Sequence, residues 1–208
     1  MLYRVRPYEV EKGAANALYE RWVAKAKASL AEADWGEYCR NLSDMVREFD
    51  QLPQTGERKP RVGLVGEILV KFHPDANNFA VDVVESEGGE AVMPDLADFL
   101  LYCCYNAAVR HRLLDGSMMA KLGNQAAIQF IEHYRAPLKK ALKGTKFGAP
   151  SEIAHLAMQA EEVISTGNMC GEGWFLTGEM LELMEEGVNN IICMQPFACL
   201  PNHVTGKG

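Results

Sequence analysis

The sequence lacks the features that mark nucleic-acid-binding, membrane-spanning and exported proteins. Its formal net charge is −7, with acidic and basic residues interspersed, which argues against nucleic acid because phosphate binding requires a basic surface. No apolar run approaches the roughly 18 residues that a transmembrane helix requires. Residues 1–9 contain no apolar signal-peptide core. We therefore expect a cytoplasmic protein that binds neither nucleic acid nor a membrane.

The chain also lacks the cysteine spacing of zinc fingers and of redox-active pairs. It has six cysteines, but no two of them form a Cys-x-x-Cys pair. The apolar fraction of 48% supports a core that needs no disulfide bonds. Most of these thiols are expected to be reduced and buried, since unpaired cysteine is among the residue types most often found inside proteins.

Established nucleotide-binding motifs are absent as well. The glycine-rich loop Gly167-Asn-Met-Cys-Gly-Glu-Gly173 follows a predicted helix, and it matches neither GxGxxG after a strand nor the P-loop pattern. The ending Gly206-Lys207-Gly208 lacks the first glycine of a P-loop and the Ser or Thr after its lysine. Glycines before a helix leave backbone N–H groups accessible to an anion. The loop 167–173 is therefore either an anion site or a structural turn between two helices.

What is present divides into two parts. Residues 1–59 are predicted to form a helical segment that packs on something else, with helices at about 9–33 and 37–51. The polar stretch 52–60, bounded by Pro and Gly, is typical of a linker. Residues 60–208 alternate between β-rich apolar runs and helical repeats, which indicates an α/β domain with a three-layer, mostly parallel sheet.

Strands of this second part are expected at 62–70, 90–93 and 191–194. The last run is continuously apolar, which predicts a strand covered on both faces. Further helices are expected at 79–87, 96–113, 117–142, 151–165 and 174–186. Either Asp75 or Asn77 would cap the helix 79–87, and Asp95 would cap the helix 96–113.

Helical spacing also predicts which residues share a face. The inward face of the helix 96–113 is expected to carry Leu96, Phe99, Leu100, Cys103 and Ala107. One side of the helix 117–142 would carry Met118, Leu122, Ala126, Phe130 and Tyr134. A basic cluster follows, formed by Lys139, Lys140, Lys143 and Lys146. It is interpreted as a solvated face with helix C-terminal charge, with contact to an anionic ligand as the alternative.

Three loops fall where strands end or helices begin, which is where open α/β sheets bind ligands. They are residues 72–78, 167–173 and 195–208. His73 in the first loop could donate to a substrate or ligate a metal, because histidine titrates near neutral pH; a hydrogen bond to nearby backbone is the alternative. Cys170 in the second loop precedes a helix, where a thiolate would have a lowered pKa.

Cys199 in the third loop is a lone thiol, five residues past the predicted strand. It would form an i,i+4 pair with His203 if a helix has begun by Leu200. Nucleophilic catalysis by such a pair needs an oxyanion hole that nothing else in the sequence supplies, so we disfavour it. Ligation of an iron–sulfur cluster fits better, because one loop thiolate can be one ligand of a cluster completed by other cysteines.

Five segments resemble the dehydratase-like region of acyl-CoA dehydratase activase-related proteins, within the 2-hydroxyacyl-CoA dehydratase and benzoyl-CoA reductase superfamily. In chain order they are RPYEV, VGLVGEILVKFHPDANN, GGEAVMPDLADF, GNMCGEGWFLTGEMLELMEEGV and MQPFACLPNHVTGKG. The resemblance implies a cytoplasmic protein of an anaerobe in a low-potential electron-transfer system. In such systems an ATP-hydrolysing activase with a [4Fe–4S] cluster passes electrons to a cluster-bearing partner. The resemblance also implies a flavodoxin-like sheet.

Carried over by position, Cys199 in PFACLP matches the late cysteine of the family pattern and is the leading cluster ligand, with Cys170 in GNMCGEG as a second candidate. Glu67, His73 and Asn77 match the strand-and-loop motif and are expected to bind substrate, an acyl-CoA. The nucleotide-binding activase domains, which would hold ATP, do not match any part of the chain, nor does the domain that would bring the other cluster ligands.

The resemblance therefore predicts a fragment of a larger protein. Residues 1–59 would pack on the rest of the parent protein, and the α/β domain 60–208 would be truncated at its C-terminus. The isolated piece is expected to be inactive, with an incomplete set of ligands for a [4Fe–4S] cluster and an activase domain or subunit as its partner. Two alternatives remain open: a non-catalytic docking domain for an activase, and a module that binds CoA or another small molecule without a cluster.

Overall fold

The structure, a computed structural model, describes residues 1–206. It contains two compact units, each treated separately below. Unit 1 consists of Met1–Lys59 and Glu132–Pro150, and unit 2 consists of Pro60–Ile131 together with the chain from Ser151 onward. The predicted helical segment 1–59 lies in unit 1, to which the segment 132–150 also belongs.

Ten α-helices and three strands are formed within residues 1–206. The helices are α1 (Leu2–Val5), α2 (Ala14–Ser29), α3 (Trp35–Gln51), α4 (Ile68–Phe72), α5 (Ala80–Ser86), α6 (Leu96–Leu113), α7 (Met118–Leu142), α8 (Ile153–Glu161), α9 (Trp174–Glu185) and α10 (Leu200–Thr205). The strands are β1 (Arg61–Gly66), β2 (Glu90–Val92) and β3 (Asn190–Met194), and short 3-10 turns lie at Arg6–Tyr8 and Pro74–Ala76. None of the helices described is both long and apolar enough to cross a membrane.

Unit 1 has a core of its own in which α2 and α3 take part. The buried residues of this core are Val5, Ala15, Leu18, Trp22 and Phe49. Helix α3 begins at a capping residue, Asp34, whose carboxylate accepts a hydrogen bond from the Glu37 backbone N–H. This bond satisfies one of the amide groups that a helix leaves unpaired at its first turn.

The sheet of unit 2 has the strand order β2-β1-β3, and both pairings are parallel. The expected α/β class with a parallel sheet is therefore confirmed. Gly66, the last residue of β1, has φ +138°, and a β-carbon there would lie 1.8 Å from the Met194 carbonyl oxygen. Only glycine permits this backbone conformation and this approach of β3 to β1.

Both faces of the central strand β1 are covered. Leu64 belongs to a cluster with Val84 of α5, whereas the next residue, Val65, packs with Leu176 and Leu183 of α9. Successive side chains of a strand point to opposite faces, so α5 and α9 lie on opposite sides of β1.

Strand β3 differs from its prediction. It pairs with β1 on one side, and in the described chain it forms an edge of the sheet, with Ile192 42% exposed. The expectation of a strand covered on both faces was therefore wrong. An apolar run of four residues does not distinguish an edge strand from a central one.

Glu67 does not lie in a strand as expected. Strand β1 ends at Gly66, and Glu67 caps the short helix α4, with its Oε2 accepting from the Val70 backbone N–H at 2.9 Å. The run Ile68-Leu-Val70 is rich in β-branched residues, but the glycine turn and the carboxylate cap override that propensity.

The predicted inward face of one helix was also wrong. Helix α6 has the predicted bounds, 96–113, and Asp95 caps it, but its buried residues are Asp98, Leu101, Tyr102 and Val109. The expected inward residues Leu96 and Leu100 are exposed, because this helix is apolar on several sides and its repeat favours no single face. On α7, exposed positions include Met118, Leu122, Phe130 and Tyr134.

Candidate functional site

Three segments of unit 2 meet beyond the carboxyl ends of β1 and β3. The chain leaves β1 toward β2 on one side and returns as β3 on the other side of β1. In open α/β sheets, the strand ends beside such a reversal are the position where ligands bind. The segments that meet there are Glu67–Ile68 after β1, the glycine-rich loop 167–173, and the turn and helix that follow β3.

Two buried polar side chains, Glu172 and Asn202, join the three segments. Glu172, 5% exposed, accepts a hydrogen bond from the Ile68 backbone N–H at 3.0 Å. Asn202 is fully buried, and in the amide orientation that satisfies both of its polar atoms it donates to Glu172 Oε2 at 3.0 Å. Its amide oxygen then accepts from the Glu67 backbone N–H, also at 3.0 Å. We call these three residues, Glu67, Glu172 and Asn202, the strand-end junction.

The conformation of the glycine-rich loop depends on its glycines and on Tyr102 of α6. Gly173 has φ +50°, and a β-carbon there would lie 2.0 Å from the Asn168 carbonyl oxygen. The Tyr102 hydroxyl lies 2.9 Å from the carbonyl oxygen of Met169 and 2.8 Å from that of Gly171, and donates to them. Burial raises the pKa of Tyr102 far above its ordinary value, so the hydroxyl remains a donor. The loop is thus a tethered turn between two helices.

Cys199 lies at the rim of these strand ends. It is the residue immediately before α10 and is half-buried, and it stands three positions before Asn202 of the strand-end junction. The position of its backbone is therefore determined by a buried hydrogen bond one helical turn away. Cys170 lies on the glycine-rich loop and is exposed.

A further thiol, Cys193 of β3, lies near this rim. Burial is the main cause that raises its pKa, and the nearby Cys199, Glu179 and Glu172 raise it further. The Cys193 thiol is therefore a neutral packing group at neutral pH rather than a thiolate. The Gly206 backbone approaches its Sγ so closely that a β-carbon there would lie 3.0 Å away.

The structure does not bring the His203 ring to the Cys199 thiol. The backbone N–H of His203 donates to the Cys199 carbonyl at 3.0 Å, so both residues do belong to one helical turn. The His203 imidazole instead lies 3.3 Å from the Gln195 amide nitrogen, measured from its Nδ1. This geometry gives no support to a Cys–His nucleophilic pair.

The three residues expected to bind substrate differ in how their side chains are used. Glu67 caps α4, as described above. Asn77 donates to the carbonyls of Val70 and Lys71 at 2.9 and 3.2 Å and accepts from the Ala80 backbone N–H at 3.0 Å, which joins α4 to α5. His73 is exposed and lies 3.9 Å from the Asp75 carboxylate. The Asn77 amide is therefore occupied by the backbone, and His73 is the most accessible of the three.

A buried ion pair lies directly behind the strand ends. Lys71 of α4 and Glu179 of α9 are both 1% exposed, and Lys71 Nζ lies 2.7 Å from Glu179 Oε1. Burial is the largest influence on Glu179 and raises its pKa to about 7, although the ammonium of Lys71 opposes this; Asp98 and Glu182 raise it further. The pair connects α4, which begins at the strand-end junction, to the helix that covers β1.

Sequence reasoning missed the strand-end junction and this ion pair. Glu172 and Asn202 stand in the singled-out segments GNMCGEG and CLPNH, but nothing local shows that their side chains meet. Lys71 and Glu179 are 108 positions apart. The ion pair did leave a signal in the sequence. Lys71 and Glu179 each stand within a predominantly apolar segment, where an isolated charge is unusual.

No three ligating side chains come together to hold a metal ion within residues 1–206. Comparison of the chain with protein families, with curated proteins and with solved structures found no match.

Proposed function

We propose that the chain is an α/β domain of an acyl-CoA dehydratase activase-related protein and that it contributes the Cys199 thiol to a site shared with other domains. The observation that carries this proposal is the place of Cys199: a half-buried thiol beside the strand-end junction, one helical turn from the buried Asn202. The five sequence segments that resemble this family include the PFACLP motif around this cysteine.

A three-layer, flavodoxin-like architecture is part of the proposal. The parallel order β2-β1-β3 corresponds to the first three strands of the flavodoxin-like order 2-1-3-4-5. The packing of Leu64 and Val65 into clusters on opposite faces of β1 supports helical layers on both sides. In such folds the crevice between β1 and β3 is the ligand site.

The shared site would be an iron–sulfur centre, in keeping with the family that the sequence resembles. The cluster, when bound, supplies one-electron chemistry at low potential, driven by ATP hydrolysis in a separate activase domain. The residues of this chain hold the thiol in place: Asn202 ties the turn after β3 to Glu172 and Glu67, so Cys199 is presented from a rigid rim. The remaining thiolates would come from other domains of the parent protein.

Anaerobic reconstitution of the parent protein with iron and sulfide tests the ligand assignment. We expect Cys199→Ser to lower the iron and sulfide content and to change the cluster's electron paramagnetic resonance spectrum. Cys104→Ser is the matched control, because Cys104 is also half-buried but lies on α6. Equal cluster content in both variants would refute the role of Cys199.

A docking domain for an activase is the second candidate, and one observation favours it. Phe197, two positions before Cys199, is fully exposed. Leu200, the residue that follows Cys199, is 71% exposed. Aromatic side chains that protrude in this way often anchor protein interfaces. If the domain only docks, Phe197→Ser abolishes activase binding while Cys199→Ala leaves electron transfer intact.

A further inference from the structure

Unit 1 contains a cleft that the strand-end site does not use. Its volume is about 600 Å³, which is within the range typical of small-molecule sites, roughly 300–1,000 Å³. It lies between α3 and the C-terminal part of α7. The side chains that matter below are Trp35, Cys39 and Ser43 from α3, and His133, Pro137 and Lys140 from α7.

One wall of the cleft consists of preorganised aromatic rings. The rings of Trp35 and His133 are nearly parallel, with an interplanar angle of 8° and centroids 4.7 Å apart. Tyr38 stacks on Trp35 with centroids 5.4 Å apart, and its hydroxyl donates to the Tyr134 carbonyl at 2.8 Å. Trp35 is nevertheless 41% exposed. Because the Trp35 and His133 rings cover a face of each other, a flat ligand meets the exposed part of this stack, whose side chains need little further ordering.

The cleft is lined by a positively charged side chain that is accessible to a ligand. In the basic cluster noted in the sequence, Lys139 pairs with Glu132 at 2.6 Å, and Lys146 donates to the Asp50 carbonyl at 2.8 Å. Lys140, which lines the cleft, has no hydrogen-bond or ion-pair partner among residues 1–206, and no carboxylate from those residues lines the cleft. An exposed ammonium beside an apolar wall is suited to a ligand that carries a negative charge next to a flat ring.

We propose that this cleft is a binding site for a planar aromatic anion. The ring of the ligand lies against the exposed part of the Trp35–His133 stack, and its anionic group meets the Lys140 ammonium. Pro137 contributes an apolar surface, and since it has no backbone N–H it also leaves the His133 carbonyl without its usual helical donor. The proposal concerns unit 1 alone and does not depend on the role proposed for Cys199.

Adenosine 5′-monophosphate is a suitable probe for the intact chain, with adenosine as the ring alone and ribose 5-phosphate as the anion alone. The chain has three tryptophans, and their indole N–H resonances report separately by nuclear magnetic resonance. Trp22 donates to Glu48 and Trp174 to Asn106, both at 3.0 Å, so both indoles are occupied internally. We expect adenosine 5′-monophosphate to shift the Trp35 resonance saturably and to leave the other two in place.

Calorimetric titration of variants separates the two contributions. Lys140→Met should weaken adenosine 5′-monophosphate binding by about tenfold and leave adenosine binding unchanged. Lys143→Met, three positions further on and outside the cleft, is the matched control and should change neither. Trp35→Ala should weaken both ligands by about tenfold, and Trp35→Phe should restore most of the binding if the ring rather than the fold is responsible.

Three results would overturn the proposal. The first is the absence of a saturable Trp35 shift with millimolar adenosine 5′-monophosphate. The second is ribose 5-phosphate binding as tightly as adenosine 5′-monophosphate, since the ring would then contribute nothing. The third is an equal effect of Lys140→Met and Lys143→Met, which would reduce the interaction to nonspecific surface charge.

Discussion

The two members of the buried pair, Lys71 and Glu179, are expected to differ in how much their removal destabilises the protein. A buried group that loses its partner can become neutral, and this limits the destabilisation to about 1.4 kcal/mol for each pH unit between the solution pH and its unfolded pKa. Removal of Glu179 leaves the buried Lys71 side chain without its carboxylate partner, and breaking a buried pair in this way costs about 3–5 kcal/mol. Glu179→Leu should therefore lower the free energy of unfolding by roughly 3–5 kcal/mol.

Lys71→Met should be less destabilising at the same pH. The pKa of Glu179 is already about 7, so about half of this carboxyl is neutral at pH 7 even with its partner present. Removing the ammonium completes the protonation, and it also removes the cation–π contacts of Lys71 Nζ with the rings of Phe72 and Phe175, at 4.8 and 5.7 Å from their centroids. The double variant, with Met and Leu, should be as stable as the wild type or more stable by about 1–4 kcal/mol.

Urea unfolding monitored by circular dichroism measures these differences, and its pH dependence gives a second check. The folded pKa of Glu179 is raised above its unfolded value, so the folded state binds the proton more tightly. This contribution to stability is fully present below about pH 4.3 and is lost as the pH rises through the folded pKa of about 7. The free energy of unfolding of the double variant should not show this dependence on pH. A larger effect for Lys71→Met than for Glu179→Leu at pH 7 would refute the reasoning.

The remaining predictions concern the backbone and the thiols near the strand ends. Gly66→Ala should lower the free energy of unfolding by at least about 2 kcal/mol, whereas Gly88→Ala, with φ +87° and nothing within 4 Å of the added β-carbon, should cost only about 1 kcal/mol by thermal denaturation. Asn202→Ala leaves buried polar partners unsatisfied, so it should lower stability by about 1–3 kcal/mol and speed the alkylation of Cys199, followed by mass spectrometry. An unchanged alkylation rate would contradict the role of the strand-end junction in holding Cys199 in place. Because burial raises the pKa of Cys193, iodoacetamide at pH 8 should modify it more slowly than the exposed cysteines, and equal rates would contradict its assignment as a protonated thiol.

Local signals in the sequence were sufficient for most elements of unit 2. The Asp95 cap followed by a helix over 96–113 is confirmed to the residue, because a capping carboxylate acts within its own helical turn. Asn77, one of two predicted caps, accepts from the Ala80 backbone N–H as expected. The parallel sheet followed from strands separated by helices, which can pair only through crossover connections.

Burial was predicted less well, because it depends on what surrounds an element. The helix 96–113 is apolar on several faces, so its repeat could not show that Leu101 and Tyr102 rather than Leu96 and Leu100 turn inward. The strand β3 is as apolar as a central strand, yet Ile192 is exposed at the edge. In both cases the missing information was the position of neighbouring elements.

The candidate site was likewise predicted in its local elements but not in the contacts between them. Of the three loops expected at the strand ends, the loop 167–173 and the segment after β3 do meet there, but they are joined to Glu67–Ile68 rather than to the predicted loop 72–78. Their connection through Glu172 and Asn202 could not be predicted, since it depends on two side chains that approach each other only after the sheet has formed. The roles of Cys199, Cys170, Glu67 and His73 in ligand binding remain predictions.

The pairing of β1 with β3 also has a consequence for biosynthesis. The Asn190 side chain bonds the Arg61 carbonyl, 129 positions earlier in the chain. During translation β1 leaves the ribosome long before the strand that completes its hydrogen bonding, and closing so long a loop is slow. Until β3 arrives, one edge of β1 is available to other chains, so nascent unit 2 should depend on chaperones that protect exposed strands.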